Sequence, residues 1–114
     1  MKQQVYIPVL YKQGIKKRML AEVCTGLEEE GVPFLCLCVA EAEEKAEKLG
    51  RRAALMSPLQ VGIGVDADGG CAICHEKLAQ HPSYITTPPG NGRIAGQNAA
   101  RLVKGLPLLY IRKE

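Results

Sequence analysis

Apolar residues recur at every fourth position along an early segment of the chain, between residues 14 and 30. The residues in this repeat are Ile15, Met19, Val23 and Leu27. A four-residue spacing places apolar side chains on one side of a helix, and Gly31 followed by Pro33 is a typical helix end. The apolar run at 33–39 then has the length of a buried strand. A helix followed directly by a buried strand predicts an α/β fold.

The segments on either side continue this alternation of strands and helices. A strand should open at residues 5–7, although Pro8 lacks an amide donor and fits a central strand poorly. Residues 40–55 return to helical spacing, and residues 94–104 predict a last helix that ends at Gly105. The helix at 40–55 has four apolar residues on one face: Ala42, Ala46, Leu49 and Ala53. A chain of 114 residues has the length of one domain, so residues 1–114 predict a single three-layer α/β domain.

A β-hairpin is predicted near the middle of the chain. In residues 59–65, β-branched side chains alternate with glycines, so one strand face is apolar and the other allows close backbone packing. The alternating residues are Val61, Gly62, Ile63, Gly64 and Val65. Turn-forming residues 66–70 then reverse the chain, so residues 71–75 should return antiparallel, and a short strand near 83–86 follows. The sheet is therefore predicted to be mixed.

The charged residues are spread along the chain. Its 15 Lys and Arg residues alternate with 12 acids, and aromatic residues make up only 4%. A nucleic-acid-binding domain usually carries a concentrated basic stripe and aromatic stacking platforms, so we expect no nucleic acid partner. The sequence has no stretch of about 18 apolar residues, and its first ten residues do not resemble a signal peptide. We therefore expect a cytoplasmic protein with no membrane partner.

Five cysteines are an odd number in a chain of this kind, so we expect reduced thiols rather than a disulfide framework. The string from Cys71 to His75 has the C-x-x-C-H spacing of covalent haem attachment. In a strand, however, residues three apart point to opposite faces, so the spacing of Cys71 and Cys74 is interpreted as accidental. Zinc binding is not expected either, because the other cysteines show no second paired spacing apart from Cys36 and Cys38.

Three consecutive acids, Glu28, Glu29 and Glu30, fall in the last turn of the first predicted helix. The helix dipole is already negative there, so the acids are placed unfavourably. At about 100° per residue, Glu29 points roughly 200° away from Leu27, which leaves it free to meet a partner or a metal ion. Because a mispaired dipole costs only about 0.3–1 kcal/mol, a solvated acidic helix end is favoured on physical grounds alone.

Three strings add information when they are taken together. They are Gly26-Leu27-Glu28-Glu29-Glu30-Gly31-Val32-Pro33, Ser57-Pro58-Leu59-Gln60-Val61-Gly62-Ile63-Gly64 and Gly96-Gln97-Asn98-Ala99-Ala100-Arg101-Leu102-Val103-Lys104-Gly105-Leu106-Pro107. In content, order and spacing they resemble the small subunit of diol and glycerol dehydratase-reactivating factors, from about residue 5 to 108. The resemblance implies an α/β/α domain like the dehydratase medium subunit and anticodon-binding domains. It also implies a mixed five-stranded sheet in the order 2-1-3-4-5 with an antiparallel fourth strand.

The same resemblance implies a non-catalytic subunit with two protein partners. In such factors a large actin-like subunit hydrolyses ATP, and the small subunit pairs with it. The small subunit then exchanges with the medium subunit of a cobalamin-dependent dehydratase, contacts the dehydratase large subunit and lets damaged cobalamin leave. The resemblance implies no cofactor of the chain's own, but a magnesium ion shared with the large subunit takes one ligand from the middle Glu of the run, which corresponds to Glu29.

Two other functions are weighed against this one. The dehydratase medium subunit shares the helix at 98–101 and the Glu run, but it is much longer, and Ser57-Pro58-Leu59 is the reactivating-factor form. An RNA-binding module is the alternative from another class, because anticodon-binding domains share the fold. The scarce aromatics and interleaved charges argue against it. The sequence leaves open whether diol or glycerol dehydratase is served and whether the complex works inside a bacterial microcompartment.

Overall fold

Five strands form one mixed sheet in the computed structural model, which describes residues 5–40, 45–78 and 85–109. The strands are β1 (Ile7–Lys12), β2 (Phe34–Val39), β3 (Val61–Val65), β4 (Cys71–His75) and β5 (Ile85–Thr87). Their order is β2-β1-β3-β4-β5. Strand β1 runs parallel to β2 and β3, whereas β4 is antiparallel to β3 and β5. The implied strand order and the antiparallel fourth strand are confirmed.

Helices cover both faces of this sheet. They are α1 (Lys17–Glu29), α2 (Ala46–Met56) and α3 (Gly92–Lys104), and a short 3-10 turn follows β4 at Glu76–Leu78. Side chains of α1 and α3 share one apolar core with the sheet, and α2 packs in separate clusters on the opposite face. The predicted layers are therefore present. Within the described residues, no helix combines the length and apolar character that a bilayer span requires.

The first strand differs from its prediction. It begins at Ile7 and passes through Pro8, although β1 lies between two other strands. The amide of Ile7 donates to the carbonyl of Pro33 beside β2, at 2.9 Å. Backbone amides alternate between the two sides of a strand, so the nitrogen of Pro8 faces β3, and pairing with β3 starts only at Val9. Pro8 therefore occupies a position that needs no amide donor.

The second helix begins later than predicted. Ala40 is not helical, and Lys45 has an extended backbone directly before the helix starts at Ala46. The predicted residue Ala42 lies outside the described residues, as does the first part of the predicted short strand at 83–86. The other residues of the predicted apolar face, Ala46, Leu49 and Ala53, are buried as expected.

The hairpin of β3 and β4 follows its predicted pattern. A β-carbon placed on Gly62 would overlap Ala53 and Ala54, and one on Gly64 would overlap the backbone of Ala46 and Gly50. The two glycines therefore let α2 approach the sheet closely, while the valine and isoleucine side chains of β3 face α1 and α3.

The two cysteines of the C-x-x-C-H string lie on opposite faces of β4. Cys71 packs in the cluster with α1 and α3, and Cys74 packs beneath α2. The predicted orientation is confirmed, and this string places no pair of sulfur ligands on one side of the sheet.

Candidate partner-binding site at the end of the first helix

Two glycines allow α1 and α3 to cross in close contact. A β-carbon on Gly26 would overlap the carbonyl oxygen of Arg93, and one on Gly96 would overlap the carbonyl oxygen of Val23. Only hydrogen atoms fit between the two backbones at these positions. The crossing brings the acidic end of α1 against the polar side of α3.

Glu29, the last residue of α1, is held by two side chains of α3. Arg93 donates from Nε to Oε1 of Glu29 at 2.6 Å and from its Nη2 atom to Oε2. Gln97 donates from Nε2 to the same Oε1 atom at 3.3 Å. The two-point contact fixes the orientation of the Glu29 carboxylate, because a guanidinium and a carboxylate match in a planar, bidentate geometry.

Glu30 is bound by two further bases of α3. Arg101 donates from Nε to Oε2 at 3.1 Å, and Lys104 donates from Nζ to Oε1 at 3.1 Å. Lys104 also donates to the backbone carbonyl of Glu30 at 2.8 Å, which supplies a hydrogen bond at the end of α1. The side chain of Glu30 is 12% exposed, whereas that of Glu29 is 36% exposed. Of the two, Glu29 is the carboxylate that a partner can reach.

The bases on α3 keep both carboxylates ionised. Hydrogen bonding from Arg93 lowers the pKa of Glu29, and partial desolvation opposes this only in part. Hydrogen bonding from Lys104, followed by that from Arg101, lowers the pKa of Glu30. Glu28 is exposed and has no ion-pair partner within the part of the chain that the structure describes. The acidic run therefore contains two paired carboxylates and one solvated one.

The predicted outward position of Glu29 agrees with its exposure, but the carboxylate is paired rather than free. The Glu29 carboxylate already accepts hydrogen bonds from Arg93 and Gln97. The positive charges on α3 offset the unfavourable position of the acids at the negative end of the α1 dipole. A signal for this arrangement exists in the sequence. Arg93, Gln97, Arg101 and Lys104 are spaced by four, four and three residues, which places them along one side of a helix. Sequence reasoning missed these four residues as members of the site.

Residues with structural roles also occur in the other two strings, although Gln97, Arg101 and Lys104 of the last string belong to the acidic site. Ser57 follows α2 directly, and its side-chain Oγ accepts from the amide of Leu59 at 3.0 Å. In α3, the buried Asn98 side chain donates to the carbonyl of Leu109 at 2.9 Å and accepts from its amide at 2.6 Å. These contacts position the entry to β3 and the segment after α3.

The chain is similar to known proteins along most of its length. Residues 6–109 match the family described as the dehydratase medium subunit. The chain belongs to this family. Within it, the chain is of the reactivating-factor small-subunit type. A probable glycerol dehydratase-reactivating factor small subunit from Citrobacter freundii is 39% identical over 99 residues, which cover 83% of this chain and 84% of that protein.

Solved structures agree with this small-subunit assignment. A glycerol dehydratase reactivase chain superposes with a TM-score of 0.81 and 34% identity, covering 94% of this small subunit and 98% of that chain. A diol dehydratase-reactivating factor, solved in complex with ADP and Mg²⁺, gives a TM-score of 0.80 and 31% identity, covering 95% and 100% of the two chains. The predicted family and fold class are confirmed. The comparisons do not favour the dehydratase medium subunit itself or an RNA-binding module.

Proposed function

We propose that this small subunit acts in an ATP-dependent reactivating factor and binds a large, actin-like ATPase subunit through the acidic end of α1. The Glu29 carboxylate carries the proposal: it is ionised, accessible and held in one orientation by Arg93. Preorganised charge of this kind favours association, because less side-chain freedom is lost when a partner binds. The subunit itself is proposed to be non-catalytic.

The Glu29 carboxylate can supply one oxygen ligand to a magnesium ion shared with the large subunit. Oε1 already accepts from Arg93 and Gln97, whereas Oε2, among the residues that the structure describes, accepts only from Arg93 and keeps one lone pair. An anionic oxygen is the ligand that Mg²⁺ prefers. No cluster of three or more candidate ligands occurs among residues 5–40, 45–78 and 85–109, so the other ligands would come from the large subunit and from water. Bound there, the cation would link the Glu29 carboxylate to the large subunit.

The second step of the proposal is exchange with the dehydratase medium subunit. This step is supported by the family comparison. The family model that matches this chain is named for the dehydratase medium subunit, whereas a similar protein is a probable reactivating-factor small subunit. Two chains with one fold can compete for one binding surface on the dehydratase large subunit. We infer that this competition loosens an inactivated dehydratase, so that damaged cobalamin leaves.

Reactivation of an inactivated dehydratase tests this function. Diol and glycerol dehydratases are inactivated in parallel and mixed with the large subunit, ATP, magnesium and fresh cobalamin, with and without the small subunit. We expect recovery of activity only with the small subunit, together with release of the dehydratase medium subunit in a size-exclusion run. Equal recovery with heat-treated small subunit would contradict the proposal. The dehydratase that recovers identifies the client.

A further inference from the structure

Two thiols that are twelve residues apart in sequence meet between α1 and β2. The Sγ atoms of Cys24 and Cys36 are 3.4 Å apart, within hydrogen-bonding distance for sulfur. Both side chains are only half-buried, so small reagents can reach them from solvent. Neither cysteine takes part in the hydrogen bonds of the acidic site described above. The pair lies on the same face of the sheet as α1, at the edge strand of the sheet.

The two sulfur atoms are chemically distinct. Hydrogen bonding with Cys36 lowers the pKa of Cys24, and burial and the nearby Glu28 carboxylate oppose that shift. The same hydrogen bond, together with burial, raises the pKa of Cys36. These directions favour ionisation of Cys24 beside a protonated Cys36. A reactive thiolate beside a second thiol is the arrangement of a cysteine pair that responds to oxidants.

We propose that Cys24 and Cys36 form a peroxide-sensitive dithiol that closes to an intramolecular disulfide and reopens with thiol reductants. The Cys24 thiolate attacks one peroxide oxygen, so that an S–O bond forms, the O–O bond breaks and hydroxide leaves. The sulfur of Cys36 then attacks the sulfenic acid, an S–S bond forms, and the hydroxyl group leaves as water with the Cys36 proton. The two thiols lose two electrons and two protons, and the peroxide is reduced to water.

Cys38 offers a matched control on the same strand. It is exposed and lies two residues beyond Cys36, so it shares that face of β2. Two residues of an extended strand span about 6.6–6.8 Å, the upper limit of the Cα separation in disulfides, so Cys36 and Cys38 are poorly placed to pair. Closure of the proposed disulfide would instead tie α1 to β2, less than two helical turns before Glu29.

The experiment uses the full-length reduced protein and hydrogen peroxide at low molar excess. We expect the thiol titre of the unfolded protein to fall from five to three, with one disulfide mapped to Cys24 and Cys36 and full recovery after dithiothreitol. Cys38→Ser should still form the disulfide. In Cys36→Ser, a sulfenic acid trap should label Cys24.

The disulfide is mapped on the parent protein, so the proposal can be refuted even if a variant folds poorly. An unchanged titre overturns it, and so does oxidation confined to Cys38 or found only as an intermolecular disulfide. A Cys36 to Cys38 disulfide would overturn it as well. The readout does not involve the large subunit, so failure here is separate from failure of the proposed function.

Discussion

Arg93 on α3 donates to both carboxylate oxygens of Glu29 on α1, although the two residues are 64 positions apart in the chain. This pair joins the end of one helix to the start of another and sets the direction of the Glu29 carboxylate, the more accessible of the two paired carboxylates in the acidic run. The interaction is a surface ion pair, so its main effect is orientation rather than stability. Function should therefore respond more than folding when either residue is changed.

Glu29→Gln tests the proposed interface directly. The substitution keeps the shape of the side chain but removes the anionic oxygen, so binding to the large subunit should weaken by roughly tenfold or lose its magnesium dependence. Affinity is measured with magnesium and with a chelator, alongside thermal melts. Glu28→Gln is the matched control, because Glu28 is exposed and unpaired within the described residues. If Glu29→Gln binds like the parent in both conditions, Glu29 is not a ligand.

Arg93→Gln separates positioning from charge. It leaves the Glu29 carboxylate in place but removes the bidentate contact that orients it. We expect weaker association that retains its dependence on magnesium, because a metal-binding oxygen would still be present. The same titration with magnesium and chelator provides the measurement. Loss of the magnesium dependence in this variant would show that Arg93 itself governs the cation effect.

The sequence predicts the local elements of this fold better than its polar contacts. The four-residue repeat of the first helix and the turn between β3 and β4 are local signals, and both elements are present. The helix α1 begins only at Lys17, after the extended Lys16, so Ile15 of the repeat lies before it. The predicted start of α2 is wrong, because helical spacing alone does not reveal that Lys45 is extended. Local periodicity describes which face is apolar, but it fixes helix ends less well.

The pairing of the acidic run could not be derived from α1 alone. The outward angle of Glu29 was calculated for an isolated helix, in which α3 is absent. Contact with Arg93 requires the close crossing that Gly26 and Gly96 permit, and that crossing is a tertiary feature. Charges that are far apart in sequence become partners only after such packing is known.

Acid should reduce the contribution of Glu30 to stability. Its pKa is lowered in the folded protein by hydrogen bonding from Lys104 and then from Arg101, so its contribution is fully present above the ordinary pKa of 4.5 and is lost as pH falls through the lower folded value. Glu30→Gln should therefore be less stable than the parent near about pH 7, and the difference should be smaller at about pH 3. Urea unfolding at both pH values measures the difference. A constant gap would show that Glu30 acts through shape, and Glu28→Gln should show no gap at either pH.

The isolated chain should hydrolyse no ATP. Gly62 and Gly64 are buried beneath α2, and β3 leads into a hairpin rather than a helix, so their backbone amides do not form a phosphate-binding loop. Phosphate release is measured with the purified chain, a heat-treated sample and the chain mixed with large subunit. Only the mixture should release phosphate above the heat-treated sample. Turnover by the small subunit alone would require a nucleotide site elsewhere.

Gly26→Ala should destabilise the protein by about 1–3 kcal/mol, because its new methyl group overlaps the Arg93 carbonyl and must push α3 away. Alanine favours a helix by about 1 kcal/mol over glycine, so a loss of stability would come from packing and not from helix propensity. Thr25→Ala is the control, since Thr25 is the exposed neighbour on α1. Unfolding in urea gives the free energies of the three proteins.

Displacing α3 should also separate Arg93 from Glu29, so Gly26→Ala should weaken binding to the large subunit even where the protein remains folded. A variant as stable as Thr25→Ala would show that the two helices have room for a methyl group, and the close crossing would not be what positions the acidic site.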